Sequence, residues 1–168
     1  MKHTSGARVI VQTVTHNSAD VIEACVMSVR RQSYKRCAFV VIDNASTDKT
    51  RVILAKLGVR PMQIDRNIGY AAAHNAAIKR YASDYVLTLN PDVVLDGDFI
   101  ARLVSEMDDH PEAGSAQPLL YRVERMGKRS NIVDSAGLYM TAFRRQNLRY
   151  SGKRLPEKAS TVTSIFGP

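Results

Sequence analysis

The sequence predicts an α/β protein built on an open, doubly wound, mostly parallel sheet with helices on both faces, and three observations carry that expectation. Apolar, β-branched runs alternate with segments of helical spacing; the runs are apolar throughout rather than at every second residue; and the first four each end in a polar cluster. Continuous apolarity means a sheet covered on both faces, and helical crossovers make neighbouring strands parallel.

In chain order, "RVIVQTV" (8–14) is the first strand and runs into "TVTHN". In "NSADVIEACVMSVRRQS" (17–33), Val21, Ile22, Cys25, Val26 and Val29 fall on one helical stripe, Asn17 or Ser18 can cap the start, and Asp20 sits in the first turn. "CAFVVID" (37–43) is the second strand. "STDKTRVILAKLG" (46–58) repeats the helical logic with Ser46 or Thr47 as cap, a stripe through Val52, Ile53 and Leu57, and Gly58 as the stop. "PMQID" (61–65) is a short third strand. "YAAAHNAAIKRYA" (70–82) is a small-residue helix able to lie close to a sheet, and "DYVLTLN" (84–90) is the fourth strand. "DGDFIARLVSEMDDHP" (96–111) turns Ile100, Leu103, Val104 and Met107 inward, and "GSAQPLLY" (114–121) is a last strand.

A chain of 168 residues with 45% hydrophobic composition can fill one substantial core. Its net charge of +8 is placed unevenly: residues 1–121 hold 14 Lys and Arg against 13 Asp and Glu, whereas 122–154 hold nine against two. Such a segment suits either an anionic partner, such as a phosphorylated substrate or a membrane surface, or a plain solvated, partly mobile stretch. No aromatic-rich RNA-binding sequence, finger or recognition helix accompanies it, so nucleic acid is not expected. The N-terminus lacks an uninterrupted apolar run followed by a cleavage site, which predicts a cytoplasmic protein. Cys25 and Cys37, without metal spacing, read as small apolar residues.

Ligands of open α/β sheets bind at the carboxyl ends of strands, where the polar clusters lie. Asp43 can accept hydrogen bonds from a ribose or a base N–H, while Ser46, Thr47 and Asp48 suit a turn and cap. Neither G-x-G-x-x-G nor the P-loop pattern is present, so any nucleotide is held another way. Asn67 and Gly69 precede the alanine helix, where glycine lets backbone approach a ligand and Asn75 follows within two turns; His74 reads as a packing residue. Pro91 stiffens the turn that projects Asn90 and Asp92. A lone carboxylate there suits Mg²⁺ or Mn²⁺ when a diphosphate and water supply the other ligands.

Together "VTHN", "DNASTD", "RNIGYAAAHN", "LNPDVVL" and "DSAG", spread over residues 8–140, resemble the nucleotide-sugar half of the inverting family 2 glycosyltransferases of GT-A fold. Within that family they are most similar to the rhamnosyltransferase-like branch that builds bacterial cell-surface polysaccharides. The resemblance implies that Thr15 and Asn17 lie in the first donor loop and that Asp43 holds the base or ribose. It places Arg66, Asn67 and Gly69 at the nucleotide border, Asn75 at the closing side of its pocket, Asn90 at the first position of the D-x-D motif, and Asp92 at its metal-binding end. His16 stands where Tyr is common. The implied partners are a nucleotide diphosphate sugar and a saccharide or lipid-linked acceptor, with Mg²⁺ or Mn²⁺ as cofactor. Residues 1–121 are then the nucleotide-sugar-binding domain. Residues 122–168 form a basic segment opening an incomplete acceptor-binding half, with the catalytic base expected beyond Pro168. Peripheral contact with the inner face of the cytoplasmic membrane would run through 122–154. The alternative reading is a non-catalytic nucleotide-binding module or inactive fragment.

Overall fold

The computed structural model describes residues 2–3, 6–123, 129–140 and 145–154. Its elements are β1 (Lys2–His3), β2 (Val9–Thr15), α1 (Ile22–Arg30), β3 (Cys37–Asn44), α2 (Thr50–Lys56), β4 (Met62–Ile64), α3 (Tyr70–Arg80), β5 (Tyr81–Ala82), β6 (Tyr85–Leu89), α4 (Phe99–Asp109), β7 (Leu120–Val123), β8 (Arg129–Ser135), β9 (Leu138–Met140) and β10 (Gln146–Leu148). The main sheet has four strands in the order β4-β3-β2-β6, and every neighbouring pair is parallel. From β2 the chain steps outward through α1 to β3 and through α2 to β4. It then returns through α3 to β6 on the other side of β2. The reversal makes β2 and β6 the switch point, where a crevice opens at the carboxyl ends.

Alternation along the buried strands explains why both faces are apolar. Ile10 and Val14 of β2 join Val40 and Ile42 of β3 against Ala73 and Ala77 of α3. Val41 points the other way and packs with Ile22 and Val26 of α1 and Leu54 of α2. The alanines let α3 lie close to the sheet, which carries the loop before it to the strand ends.

Three sequence expectations are corrected. The run 114–121 is not a fifth strand of this sheet: only Leu120 and Tyr121 are extended, and β7 pairs antiparallel with β8. Pro118 has no N–H for a ladder, and the residues before it bring little apolar surface. The helix caps also differ. Helix α1 follows a turn in which Ser18 O accepts from Val21 N and Ile22 N, and neither α1 nor α2 carries a side-chain bond from its N-cap residue. Finally, α2 starts only at Thr50, which shifts its buried stripe to Thr50 and Leu54 with Leu57 half-buried, and leaves Val52 54% exposed.

By Cα proximity the chain forms two compact units, Met1–Ala101 and Arg102–Pro168. The first holds the main sheet. The second holds the β7–β8 and β9–β10 pairs, with the "DSAG" stretch forming the turn between β8 and β9: Ser135 Oγ accepts from Gly137 N at 3.3 Å, and Gly137 takes φ +104. Parts of the basic segment, 124–128 and 141–144, lie outside the described residues. Among those described, no helix is long and apolar enough to cross a membrane.

Candidate functional site

A cleft of about 610 Å³ opens at the carboxyl ends of β2, β3 and β6. Val14 lines it from the end of β2, and His16, Asn17, Ser18, Asp20 and Val21 from the segment that follows. Asn44 comes from the end of β3, Asn67 and Tyr70 from the approach to α3, and Asn90, Pro91 and Asp92 from the turn after β6. Four residues expected from sequence, Asn17, Asn67, Asn90 and Asp92, are thus brought to one cavity, all within the first unit.

The wall after β2 is built by cross-stitching two loops. Asn17, at φ +53, accepts at Oδ1 from Thr47 N at 2.8 Å and from Asp48 N at 3.3 Å, while its own N–H donates to Ser46 Oγ at 3.1 Å. Ser18 N donates to Thr50 Oγ1 at 2.8 Å and Ala19 N to Asp48 Oδ2 at 3.1 Å. Hydrogen bonds from Thr50 and Ala19 hold the Asp48 carboxyl below its usual range. "DNASTD" is therefore a clamp on "THNSA". His16 Nδ1–H donates to Asn44 O at 2.9 Å, which ties the end of β2 to the end of β3.

Asn44 fixes the next wall. Its Nδ2 donates to Asn67 Oδ1 at 2.9 Å, and its Oδ1 accepts from Ile68 N at 3.0 Å, so one buried amide holds the loop that delivers Asn67. Gly69 enters α3 at φ +85, a conformation that a side chain would strain.

The other expected residues are placed apart from the lining. Asp43 is fully buried, with one oxygen paired to Arg51 Nε and the other accepting from Ser46 N. Thr15 is buried, and among the described residues no group is hydrogen-bonded to its Oγ1. Arg66 is exposed in the loop before α3, and Asn75 is exposed on α3 itself. His74 is buried, as a packing residue should be, and its Nδ1–H donates to Gln12 Oε1 at 3.1 Å. Burial lowers its pKa, so the ring is neutral at physiological pH.

Asn90 and Asp92 form the far corner. Tyr70 OH donates to Asn90 Oδ1 at 2.9 Å, and the Asn90 carbonyl accepts from Cys25 Sγ at 3.8 Å. Asp92 is exposed, and among the described residues no donor is hydrogen-bonded to its carboxylate. Its charge is felt nearby: burial first and then Asp92 raise the Tyr70 hydroxyl. The Cys25 thiol is pushed up to about 11 by burial and Asp92, against the Thr13 hydrogen bond. Cys25 is accordingly a protonated packing residue, not a nucleophile. Sequence reasoning missed Asn44 and Tyr70 as lining residues. The only signal was their position, next to Asp43 and Gly69.

Residues 10–160 match the sequence profile of glycosyl transferase family 2. The chain belongs to that family. An N-acetylglucosaminyltransferase of Azorhizobium caulinodans is 35% identical over 106 residues, covering 59% of this chain and 26% of the relative. The fold superposes on the mannosyltransferase PcManGT from Pyrobaculum calidifontis, solved in complex with GDP-Man and Mn²⁺, with a TM-score of 0.60 and 26% identity over 73% of this chain and 37% of that one. It also superposes on S. aureus TarS in complex with UDP-GlcNAc, with a TM-score of 0.58 and 22% identity over 78% and 39% of the two chains. The chain shares the GT-A fold of these two solved structures. This chain spans about a quarter to a third of the length of the first curated relatives it matches.

Proposed function

We propose that the cleft binds the nucleotide diphosphate sugar donor of a glycosyl transfer reaction. The observation that carries this reading is the open carboxylate of Asp92 at the switch point of a family 2 sheet, facing a cavity lined by amides and loop residues. The GDP-Man complex of the Pyrobaculum relative supports a donor of this class. The sugar proposed is of the rhamnosyl type, moved with inversion to a saccharide or lipid-linked acceptor in bacterial cell-surface polysaccharide synthesis.

The residues present fit a divalent ion of limited protein coordination. Among the described residues no group of three or more His, Cys, Asp or Glu could hold a metal alone. Asp92 would supply one oxygen to Mg²⁺ or Mn²⁺, with the diphosphate and water supplying the rest. When bound, such an ion neutralises charge developing on the leaving diphosphate. The chain's own amides, Asn44, Asn67 and Asn90, orient the donor and replace water around it. An acceptor hydroxyl then attacks the anomeric carbon on the face opposite the diphosphate. The new C–O bond forms as the C–O bond to the diphosphate breaks, and the hydroxyl proton passes to a general base outside this cleft. The basic segment 122–154 is proposed to meet an anionic acceptor or membrane surface.

Calorimetry with uridine, guanosine and thymidine diphosphates, with and without Mn²⁺, tests the reading. At least one should bind, more tightly with Mn²⁺. Asp92→Asn should remove most of the Mn²⁺-dependent gain, on the order of tenfold or more for a charge-assisted contact. A flat response across the panel rejects the donor site.

A further inference from the structure

Asn90 stands where a second carboxylate would complete a metal-binding pair, and the structure shows what the amide does instead. Tyr70 is anchored twice. Its ring lies edge-on to His74, with centroids 4.5 Å apart and planes at 72°, and its hydroxyl donates to Asn90 Oδ1 at 2.9 Å. His74 is itself buried and held by Gln12 of β2, so the chain of contacts runs from the sheet interior to the cleft wall. With Oδ1 occupied, Nδ2 is the polar end that Asn90, a lining residue of the cleft, has left for a ligand. Among the described residues no acceptor takes those two N–H groups.

We infer that Tyr70 is a positioning residue that fixes the Asn90 carboxamide so that this corner presents a hydrogen-bond donor, not a cation ligand, to an anionic oxygen of the donor diphosphate. The inference rests on the donor-site reading of the cleft. Asp92 and Asn90 then divide the work: the carboxylate would supply an oxygen to a cation bound with the diphosphate, while the amide meets an oxygen directly and contributes binding without metal. Tyr70 is 49% exposed, and its hydroxyl, raised by partial desolvation and by the Asp92 charge, stays protonated, and a donor, across neutral pH.

The test is a double-mutant cycle on the full chain, titrating the nucleoside diphosphate that binds the wild type most tightly, once in EDTA and once in Mn²⁺. In EDTA, Tyr70→Phe keeps the ring against His74 and should weaken binding about 3- to 10-fold, as should Asn90→Ala. Tyr70→Phe should add nothing in the Asn90→Ala background, a non-additivity that a general structural defect would not produce. Asn90→Asp should increase the Mn²⁺-to-EDTA affinity ratio about tenfold or more by placing a second carboxylate beside Asp92. Unchanged binding by Tyr70→Phe, equal losses in both backgrounds, or an unchanged ratio for Asn90→Asp overturns the inference and leaves the donor site standing. A wild type that binds no nucleoside diphosphate overturns both.

Discussion

Asn17 and Ala45 both hold left-handed backbone, at φ +53 and φ +65, on the two loops that form one wall of the cleft. For Asn17 the conformation is compensated, because asparagine tolerates it and its Oδ1 collects N–H groups from Thr47 and Asp48. Asn17→Ala loses both and should cost about 2 kcal/mol in urea denaturation, from two exposed hydrogen bonds at a net ~0.5–1 kcal/mol each and from the left-handed backbone that alanine tolerates poorly. Ala45 has no such compensation. Ala45→Gly should therefore stabilise by about 0.5–1 kcal/mol, the left-handed penalty less the greater entropy of unfolded glycine. A loss of stability on that substitution would mean the loop does not hold this conformation. That Asn17 lines the cleft was legible from its place after the first strand. Its clamping role was not, because its partners lie 30 and 31 positions away and nothing local marks them.

At the scale of elements, the alternation of strands and helices was legible because continuous apolar runs have few other uses. The phase of α2 was not. Ser46 and Thr47 resembled a cap, yet Ser46 Oγ is taken by Asn17 N and Asp48 bonds Thr50 N, so the helix starts later and turns Leu54 inward. Leu54→Ala should cost about 3 kcal/mol, whereas Val52→Ala should stay within about 0.5 kcal/mol. Chemical denaturation of the pair separates the two phases directly. The contact between β2 and α3 carries a pH dependence of known sign. His74 has a folded pKa below its ordinary 6.5, so as pH falls the unfolded chain takes up the proton first. Its contribution is intact above pH 6.5 and is lost as pH falls from there towards the depressed folded value. Thermal melts should therefore show a larger fall between about pH 7.5 and about pH 5.5 for wild type than for His74→Gln, which keeps a donor for Gln12 but does not titrate.

For the whole molecule, sequence order located the cleft and four of its lining residues, Asn17, Asn67, Asn90 and Asp92, but not the others. Strand ends can be read from apolar runs, but which side chains face one another depends on the return of the chain to β6 and on the loop stitching. The charge was legible in full, since the basic excess is a property of composition: nine Lys and Arg against two Asp and Glu in 122–154. Within it Lys153 and Arg154 are exposed and Arg149 is partly so. If this segment meets an anionic surface, as proposed, the chain should sediment with phosphatidylglycerol vesicles at low ionic strength and not with neutral phosphatidylcholine vesicles. Binding should vanish near 1 M salt, where the screening length shrinks to about 3 Å. Replacing Arg149, Lys153 and Arg154 by Gln should weaken partitioning by on the order of 10- to 100-fold, since each cation near such a surface contributes up to about 1 kcal/mol. The same variant should bind nucleoside diphosphate unchanged, because among the described residues the lining of the cleft comes from the first unit. Loss of both activities together would place the basic residues in the donor site, and salt-insensitive vesicle binding would mean that apolar contact, not charge, holds the chain there.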